Sequence, residues 1–533
     1  MSKSARVIGL IAVVAAAVHA SARAAPADFN ALVDAIRARP AMAHAQIGVE
    51  VYSLDHRSVL YDLQGERLFV PASTTKLLTE GAALRLLGPD FRFHTPVYRT
   101  GEIVDGTLEG NLVLVASGDP NLSGRRRPDG TLAFANEDHT YGGYDSRLIG
   151  DPLAALNEIA TQIATSGVRR VKGRVLVDAS LFPEGQAEGG TGMIMSPAVV
   201  NDNALDMVVT PGVAAGEAAG VAPSPRTAYI RVIDKVTTAA QGSPTTLTTT
   251  ADTQPDGRLV VTESGSIPAG SGPYIDTYAV PSPSRYAEAL LTELLAAQGV
   301  AIDDVSFPDK PTGDAFKAWY APQNRLADYV SAPLSEDIKL TLKVSQNLHA
   351  ALMPLDIGAY AGKANNKVAE AGFALEHDML AGAGLDLSGA SQGDGPGGSA
   401  MFTPDFMVRY LAFWAAQPEF ATLRSGLPVL GKDGTLFNIQ TSSPAAGHVF
   451  AKTGTFSQAD LLNHSVTLTA KGLAGFTTTP SGERVAFAIY INNVPLAVNL
   501  DDAAAVTRAA TGVGQTVGEI AAGINTLPIR IEK

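Results

Sequence analysis

A chain of 533 residues without a single cysteine must fold, and do any covalent chemistry, with no sulfur crosslink and no thiolate. That absence removes disulfides, Cys-ligated zinc, a sulfur nucleophile and a lipid-modified N-terminal Cys together, so a covalent mechanism is left to oxygen and nitrogen. With 46% hydrophobic and 17% charged residues the chain can bury a sizeable core, and its length exceeds one compact unit; two to four domains are expected. The formal net charge of −13 disfavours a phosphate-backbone partner, and no basic run offsets it, so nucleic acid is excluded. The 9 histidines include no pair at i,i+4 spacing, which leaves a metal site or other cofactor without sequence support and reads the histidines as scattered surface or core residues.

Lys3 and Arg6 precede the apolar run Val7 to Val18, and Ala22-Arg23-Ala24 supplies small residues for cleavage. Residues 1–24 therefore read as a signal peptide, which predicts a periplasmic or other extracytoplasmic protein; no later segment reaches a membrane-spanning apolar length.

Alternation in Gln46 to Ser53 and in Ser58 to Tyr61 predicts a hairpin. Apolar residues at helical spacing (Leu77, Leu78, Ala82, Ala83, Leu86), stopped by Gly88-Pro89, predict one helix over 73–87. Short strands follow between Val97 and Val115, and 122–148 reads as a long loop with little expected order. A helix over 152–167 leads to a strand over 171–177, a β-rich stretch covers 207–267, and 283–299 returns to helix. Ser335 to Met353 reads as one long helix stopped by Pro354; 382–398 reads as Gly-rich loop and 404–417 as helix. Val449 to Thr455 and Val485 to Asn492 are expected as neighbouring strands, before a last Ala-rich helix over 501–523.

Three short signals occur once each. Lys76 alone among the lysines has a Ser three residues before it, Ser345 alone among the serines has an Asn two residues after it, and Lys452 alone among the lysines is followed by Thr-Gly. A lone Ser-x-x-Lys is ordinarily a helix cap beside a solvated charge. The three in this order match the nucleophile sets of β-lactamases and penicillin-binding proteins. The chemistry suits the residue types. Ser73 would attack an acyl carbonyl, and Lys76, its charge disfavoured by burial and by Lys452, would take the proton. Ser345 would pass that proton to the leaving amine, and Asn347 would bond both Lys76 and a substrate amide. Lys452 and Thr453 would hold a carboxylate, Gly454 would let substrate backbone approach, and the N–H groups of Thr455 and Ser73 would form an oxyanion hole.

With these motifs the chain resembles the class C low-molecular-mass penicillin-binding proteins, which act as D-alanyl-D-alanine carboxypeptidases and endopeptidases. The resemblance also takes in Arg67 to Ser73, Gly118-Asp119-Pro120-Asn121-Leu122, Pro333 to Leu348, Gly431-Lys432-Asp433-Gly434-Thr435-Leu436 and Leu473-Ala474-Gly475-Phe476. It implies an α+β multi-domain fold with a penicillin-binding transpeptidase-like domain, a five-stranded antiparallel sheet flanked by helices, and inserted β-rich domains. Ser73 and Ser345 stand 272 residues apart but Ser345 and Lys452 only 107, consistent with inserts between the first and second motifs. The expected division is a catalytic domain over 25–95 and 326–533, an insert over 96–204 and 271–325, and a second insert over 205–270. Peptidoglycan stem peptides would be the substrates, with the inserts selecting the diamino acid through an acidic residue, and β-lactams would be covalent inhibitors; loose membrane or wall association is compatible, and oligomeric state has no sequence signature. The sequence departs from the family at Pro396 in Asp394-Gly395-Pro396-Gly397, where Ser is usual, and at His349-Ala350-Ala351, where Tyr-Ala-Glu is frequent.

Competing readings are weaker. Gly389-Ala390-Ser391-Gln392-Gly393 spells a nucleophile elbow, and Gly393 to Gly398 a Gly-x-Gly-x-x-Gly, but Gly-rich sequence on both sides leaves neither the strand–helix setting it needs. A β-lactamase would add Glu-x-x-Leu-Asn, which is absent, or a Tyr-x-Asn between the flanking motifs, whereas Tyr490-Ile491-Asn492 comes after Lys452. A non-catalytic binding module would be expected to lose Ser73 or Lys76, and both are present.

Overall fold

The computed structural model describes residues 27–307 and 313–527; the expected signal peptide lies outside the described residues. Alternating apolar residues place five long strands in one antiparallel sheet: β1 (Gln46–Ser53), β2 (Ser58–Leu63), β3 (Val449–Asp460), β4 (Ser465–Thr478) and β5 (Arg484–Leu496), in the order β3-β4-β5-β1-β2. The expected hairpin over 46–61 is β1–β2. The expected neighbours Val449–Thr455 and Val485–Asn492 are instead separated by β4, which pairs with both. Thr and Lys alternate with Val, Leu and Ala in β4, a half-buried pattern that continuous apolar runs on either side obscure.

Each sheet face has its own core. Val49, Val51, Leu473, Phe487 and Ile489 meet the helices α1 (Ala27–Arg37) and α6 (Ala503–Asn525). Ala474, Ala486, Ala488 and Tyr490 meet α2 (Lys76–Leu86) and α5 (Pro404–Ala415), where Trp414 and Tyr410 are fully buried. The protein is thus of α+β class, with helical layers on both faces of the sheet.

The predicted long helix over 335–353 is two helices, α3 (Leu334–Val344) and α4 (Asn347–Asp356). Ser345 caps the first in the left-handed region (φ 63°), and the Gln346 side chain caps the second by accepting from the N–H of Leu348 at 2.7 Å. Pro354 does not stop α4: it sits inside it, and the chain continues into a wider π turn over Ile357–Ala361.

Between His94 and Val330 the described residues build a four-stranded sheet (Arg325–Val330, His94–Arg99, Leu112–Val115, Val175–Asp178), a smaller four-stranded sheet, two three-stranded sheets and two amphipathic helices, Ala154–Thr165 and Pro283–Ala297. The strand expected over 171–177 is broken at Lys172-Gly173-Arg174 and serves two sheets. Leu205, Met207, Tyr229, Leu259 and Val261 share one core with Val97, Ile159 and Leu290, so the Thr-rich stretch is anchored at its inner end. Among the described residues no helix is long and apolar enough to cross a membrane.

Candidate active site

Ser73 sits in a short 3-10 turn, Ala72–Thr75, that runs directly into α2. A helix over 73–87 was expected; its first turn is wound tighter, and with three residues per turn positions i and i+3 eclipse, which stacks Lys76 over Ser73. The Lys76 ammonium nitrogen lies 2.8 Å from Ser73 Oγ. Ala72, immediately before the serine, is in the left-handed region (φ 46°), a conformation that surrounding structure has to impose on a residue with a Cβ.

The break between α3 and α4 brings the second motif to the same point. Lys76 Nζ donates to Asn347 Oδ1 at 2.6 Å and lies 3.4 Å from Ser345 Oγ. From β3, Lys452 Nζ donates to Ser345 Oγ at 2.8 Å, so the Ser345 hydroxyl stands between two lysines. Thr453 exchanges a hydrogen bond with Thr435 at 2.7 Å, and Thr455 Oγ1 accepts from Lys471 Nζ at 2.8 Å. Gly454 has to be glycine here: a Cβ would stand 2.3 Å from the Pro71 carbonyl oxygen, backbone that cannot move aside. The structure therefore brings Ser73, Lys76, Ser345, Asn347 and Lys452 into one hydrogen-bonded cluster, with Thr453, Gly454 and Thr455 along its edge. Ser73, Ser345, Asn347, Thr453 and Thr455 open onto a cleft of about 440 Å³.

Lys76 and Lys452 are both fully buried. Burial pushes Lys76 down to about 7, against the pull of Glu188, Glu80 and Asp394. Lys452 is driven well below its usual value by burial and then by the neighbouring Lys76 and Lys471. Glu80, one turn beyond Lys76, is fully buried without a hydrogen-bond partner, and burial raises it well above the carboxylate range. A protonated, neutral Glu80 leaves the Lys76 ammonium without a full counter-charge.

A buried ionic network backs the second motif. The segment 122–148, expected as loop with little order, is loop but is firmly held: Tyr141 Oη donates to the Ser345 carbonyl at 2.6 Å, and Asp138 accepts from the Gln346 side chain at 3.1 Å. His349 bonds Asp337 and Asp202, each at 2.8 Å, and His139 bonds Asp206 and Asp202 at 2.7 and 2.5 Å. Burial alone would lower His349, but Asp337 and Asp202 outweigh it and hold the imidazole up at about 10. Asp138, His139 and Asp202 are the one metal-ligating group brought together among the described residues, and the Arg125 guanidinium already pairs with both aspartates. Gly190 packs where a Cβ would stand 2.0 Å from the Asn347 amide, and its loop is tied down by Glu188, which accepts from the N–H of Gly190 and Gly192, each at 2.7 Å.

The Asp394–Gly397 turn lies against the nucleophile turn, where a Gly397 Cβ would stand 2.2 Å from the Ala72 carbonyl oxygen, and the Gly395 carbonyl accepts from Thr79 of α2 at 2.9 Å. Ser391 lies in a short strand, Ala390–Gln392, paired with Ala400–Phe402 and followed by no helix, so the elbow reading has no structural setting. Tyr141, Gln346, Glu188 and Lys471 are specified by none of the three motifs, yet they hold or line the site. Only Lys471 carried a signal, a lysine at an inward register of a strand two positions before Leu473.

Residues 29–513 match the model of the D-Ala-D-Ala carboxypeptidase 3 (S13) family. A D-alanyl-D-alanine carboxypeptidase of Actinomadura sp. (strain R39) is 31% identical over 510 residues, covering 90% of this chain and 84% of that protein. D-alanyl-D-alanine carboxypeptidase DacB of Haemophilus influenzae is 24% identical over 470 residues, 84% of this chain and 85% of that one. In fold, the structure is similar to penicillin binding protein 4 from Haemophilus influenzae complexed with a novel beta-lactam: the TM-score is 0.65 at 22% sequence identity, over 91% of this chain and 98% of that one. The protein whose Ser-x-x-Lys, Ser-x-Asn and Lys-Thr-Gly residues meet in this cleft belongs to the D-Ala-D-Ala carboxypeptidase 3 (S13) family.

Proposed function

We infer that the protein is a serine D-Ala-D-Ala carboxypeptidase and D,D-endopeptidase that acts on peptidoglycan stem peptides through an acyl-Ser73 intermediate. The observation that carries this is the chain of contacts Ser73–Lys76–Ser345–Lys452, with Asn347 on the same ammonium. Lys76 as free base takes the Ser73 proton while Oγ attacks the carbonyl of the penultimate D-Ala. Negative charge on the carbonyl oxygen meets the N–H groups of Ser73 and Thr455; a Gly454 Cβ would stand 3.3 Å from the Ser73 nitrogen, so β3 and the nucleophile turn are in contact there. Ser345, bonded to both lysines, relays the proton to the departing amine. Water then takes the amine's place, and Lys76 activates it in turn.

A free D-Ala leaving group makes the reaction a carboxypeptidation, and a crosslinked side-chain amine makes it an endopeptidation. Glu137 lines the cleft, which supports it as the acidic residue that meets a cationic diamino acid side chain. β-Lactams would acylate Ser73 by the same steps, as the β-lactam complex of the Haemophilus protein suggests by analogy of fold. In the same reading the chain divides into a catalytic domain, 25–95 and 326–533, with inserts over 96–204, 271–325 and 205–270, and it is exported by cleavage after Ala24. N-terminal sequencing of mature protein starting elsewhere than residue 25 would refute that cleavage.

Benzylpenicillin followed by intact-mass and peptide mapping tests the chemistry. The adduct is expected on Ser73 alone, with none on Ser73→Ala, and the wild-type protein is expected to release D-Ala from peptides ending in D-Ala-D-Ala. Penicillin turned over orders of magnitude faster than peptide would favour a β-lactamase instead.

A further inference from the structure

The break between α3 and α4 leaves one carbonyl to be satisfied from outside. In a helix running straight through, the Ser345 carbonyl would accept from the N–H of His349. Here the Gln346 side chain takes the N–H groups of both Leu348 and His349, and Ser345 is in the left-handed region, so its carbonyl is turned out of the helix line and needs another donor. Tyr141 supplies it, with 2.6 Å from Oη to the carbonyl oxygen, a contact the mechanism above does not use.

Burial does not hold Tyr141 there, since its ring is 48% exposed and lines the cleft. The turn it ends does. His139–Tyr141 is a 3-10 turn capped by Asp138, whose side chain accepts from the Thr140 N–H at 3.1 Å. Behind that turn Arg125 pairs with Asp138, His139 is held between Asp202 and Asp206, and the Gln346 amide donates to both Asp138 and Thr140. The Tyr141 hydroxyl is thus presented from a fixed frame, and it acts on one peptide plane, the one that joins Ser345 to Gln346.

That plane decides where Ser345 Oγ stands. The oxygen lies 2.8 Å from Lys452 Nζ and 3.4 Å from Lys76 Nζ, a placement that rotation about the left-handed residue would spoil. When the C–N bond of an amide breaks, nitrogen keeps the bonding pair and must gain a proton, which Ser345 gives while taking one from the Lys76 ammonium. A thioester differs: a thiol ionises near about 8.5, so sulfur leaves with its pair as a thiolate and no proton has to be delivered.

We propose that Tyr141 is a positioning residue for proton delivery to the departing nitrogen, acting through the Ser345 carbonyl. The proposal rests on the acyl-transfer reading and adds to it a residue outside the three motifs.

The test compares diacetyl-L-Lys-D-Ala-D-Ala with its thioester analogue, in which a thiol acid replaces the last D-Ala, for wild type, Tyr141→Phe, Ser345→Ala and the double variant. The readout is kcat/KM, which reports the steps up to acylation. Tyr141→Phe is expected to lower the amide value by about 10- to 100-fold and the thioester value by less than about threefold. Both substrates read the same folded fraction, so their ratio is independent of any loss of fold. Ser345→Ala lowers the amide-to-thioester ratio at least as far, and adding Tyr141→Phe to it moves the ratio no further, because nothing is left to position. General loosening of the site would slow both substrates alike, so a ratio unmoved by Tyr141→Phe overturns the proposal, as does a full further loss in the double variant. If wild type does not hydrolyse the peptide, the peptidase reading fails; benzylpenicillin, whose ring opening also breaks a C–N bond, then decides, and acylation as fast in Tyr141→Phe as in wild type overturns the role of Tyr141.

Discussion

Acylation of Ser73 should follow the titration of Lys76. Burial holds its ammonium at about 7. On a single titration the free base is about half of the protein at pH 7, about a tenth at pH 6 and about a hundredth at pH 5. Only the free base can accept the Ser73 proton, so rate falls with falling pH. The second-order rate constant for benzylpenicillin acylation is therefore expected to drop about fivefold from pH 7 to pH 6, about tenfold more to pH 5, and to rise less than twofold above pH 7 before a plateau. Asn347→Asp sharpens the test by placing a carboxylate where an amide oxygen now lies 2.6 Å from Nζ. An anion that close raises a lysine to about 8–10, so the inflection should move up and the rate at pH 7 fall by about 5- to 500-fold, with much of it recovered at high pH. Lys76→Arg, which stays charged throughout, should lose acylation by about 10²–10⁴ with no recovery. Stopped-flow or rapid-quench labelling from pH 5 to 9, with circular dichroism to confirm the fold at each pH, supplies the profile. A rate flat from pH 5 to 8, or an inflection near the ordinary lysine value of about 10.4, would refute the assignment of Lys76 as base.

Four further outcomes are expected. Gly454→Ala forces a Cβ into the Pro71 carbonyl and should abolish penicillin labelling while the protein remains folded, as measured by gel filtration and circular dichroism. Asp202→Asn removes the shared partner of Arg125, His139 and His349; breaking a buried pair costs about 3–5 kcal/mol, so thermal unfolding should start markedly earlier and acylation should slow as the Ser345 loop loosens. His349, held up at about 10, contributes stability that is complete below its unfolded value of about 6.5 and lost as pH rises towards 10, so the melting temperature should fall over that window and fall less in His349→Gln. Glu137→Gln should lower kcat/KM about tenfold for a peptide with a free side-chain amine relative to its acetylated form, as measured by D-Ala release.

The sequence made the nucleophile cluster legible because each motif is local: Ser73 and Lys76 share a turn, Ser345 and Asn347 flank one peptide break, and Lys452 to Thr455 are one strand segment. Periodicity also located α2, α5 and α6, whose apolar faces meet the sheet. What it could not supply was long-range pairing. β4 is half polar and went unseen between two apolar strands, although it decides that Lys471 faces Thr455. The left-handed Ser345 is imposed by contacts from Tyr141 and Lys452, so helical spacing read straight through it from 335 to 353. His139 and His349 looked isolated in the sequence because their partners Asp202 and Asp206 come from a distant loop and strand.

The pairing of β1 with β5 has a consequence for the order of events in the life of the molecule. Ile47 lies opposite Ile491, so the β1–β2 hairpin cannot join the rest of its sheet until the last strand, β5, has been made. At roughly 5–20 residues per second of synthesis, the Ser73 turn exists for tens of seconds before Ser345 and Lys452 can reach it. During that interval Lys76 is solvated, keeps its proton and cannot serve as a base. Reactivity towards wall peptides or antibiotics thus begins only on completion of the chain, and a chain interrupted before β5 stays inert.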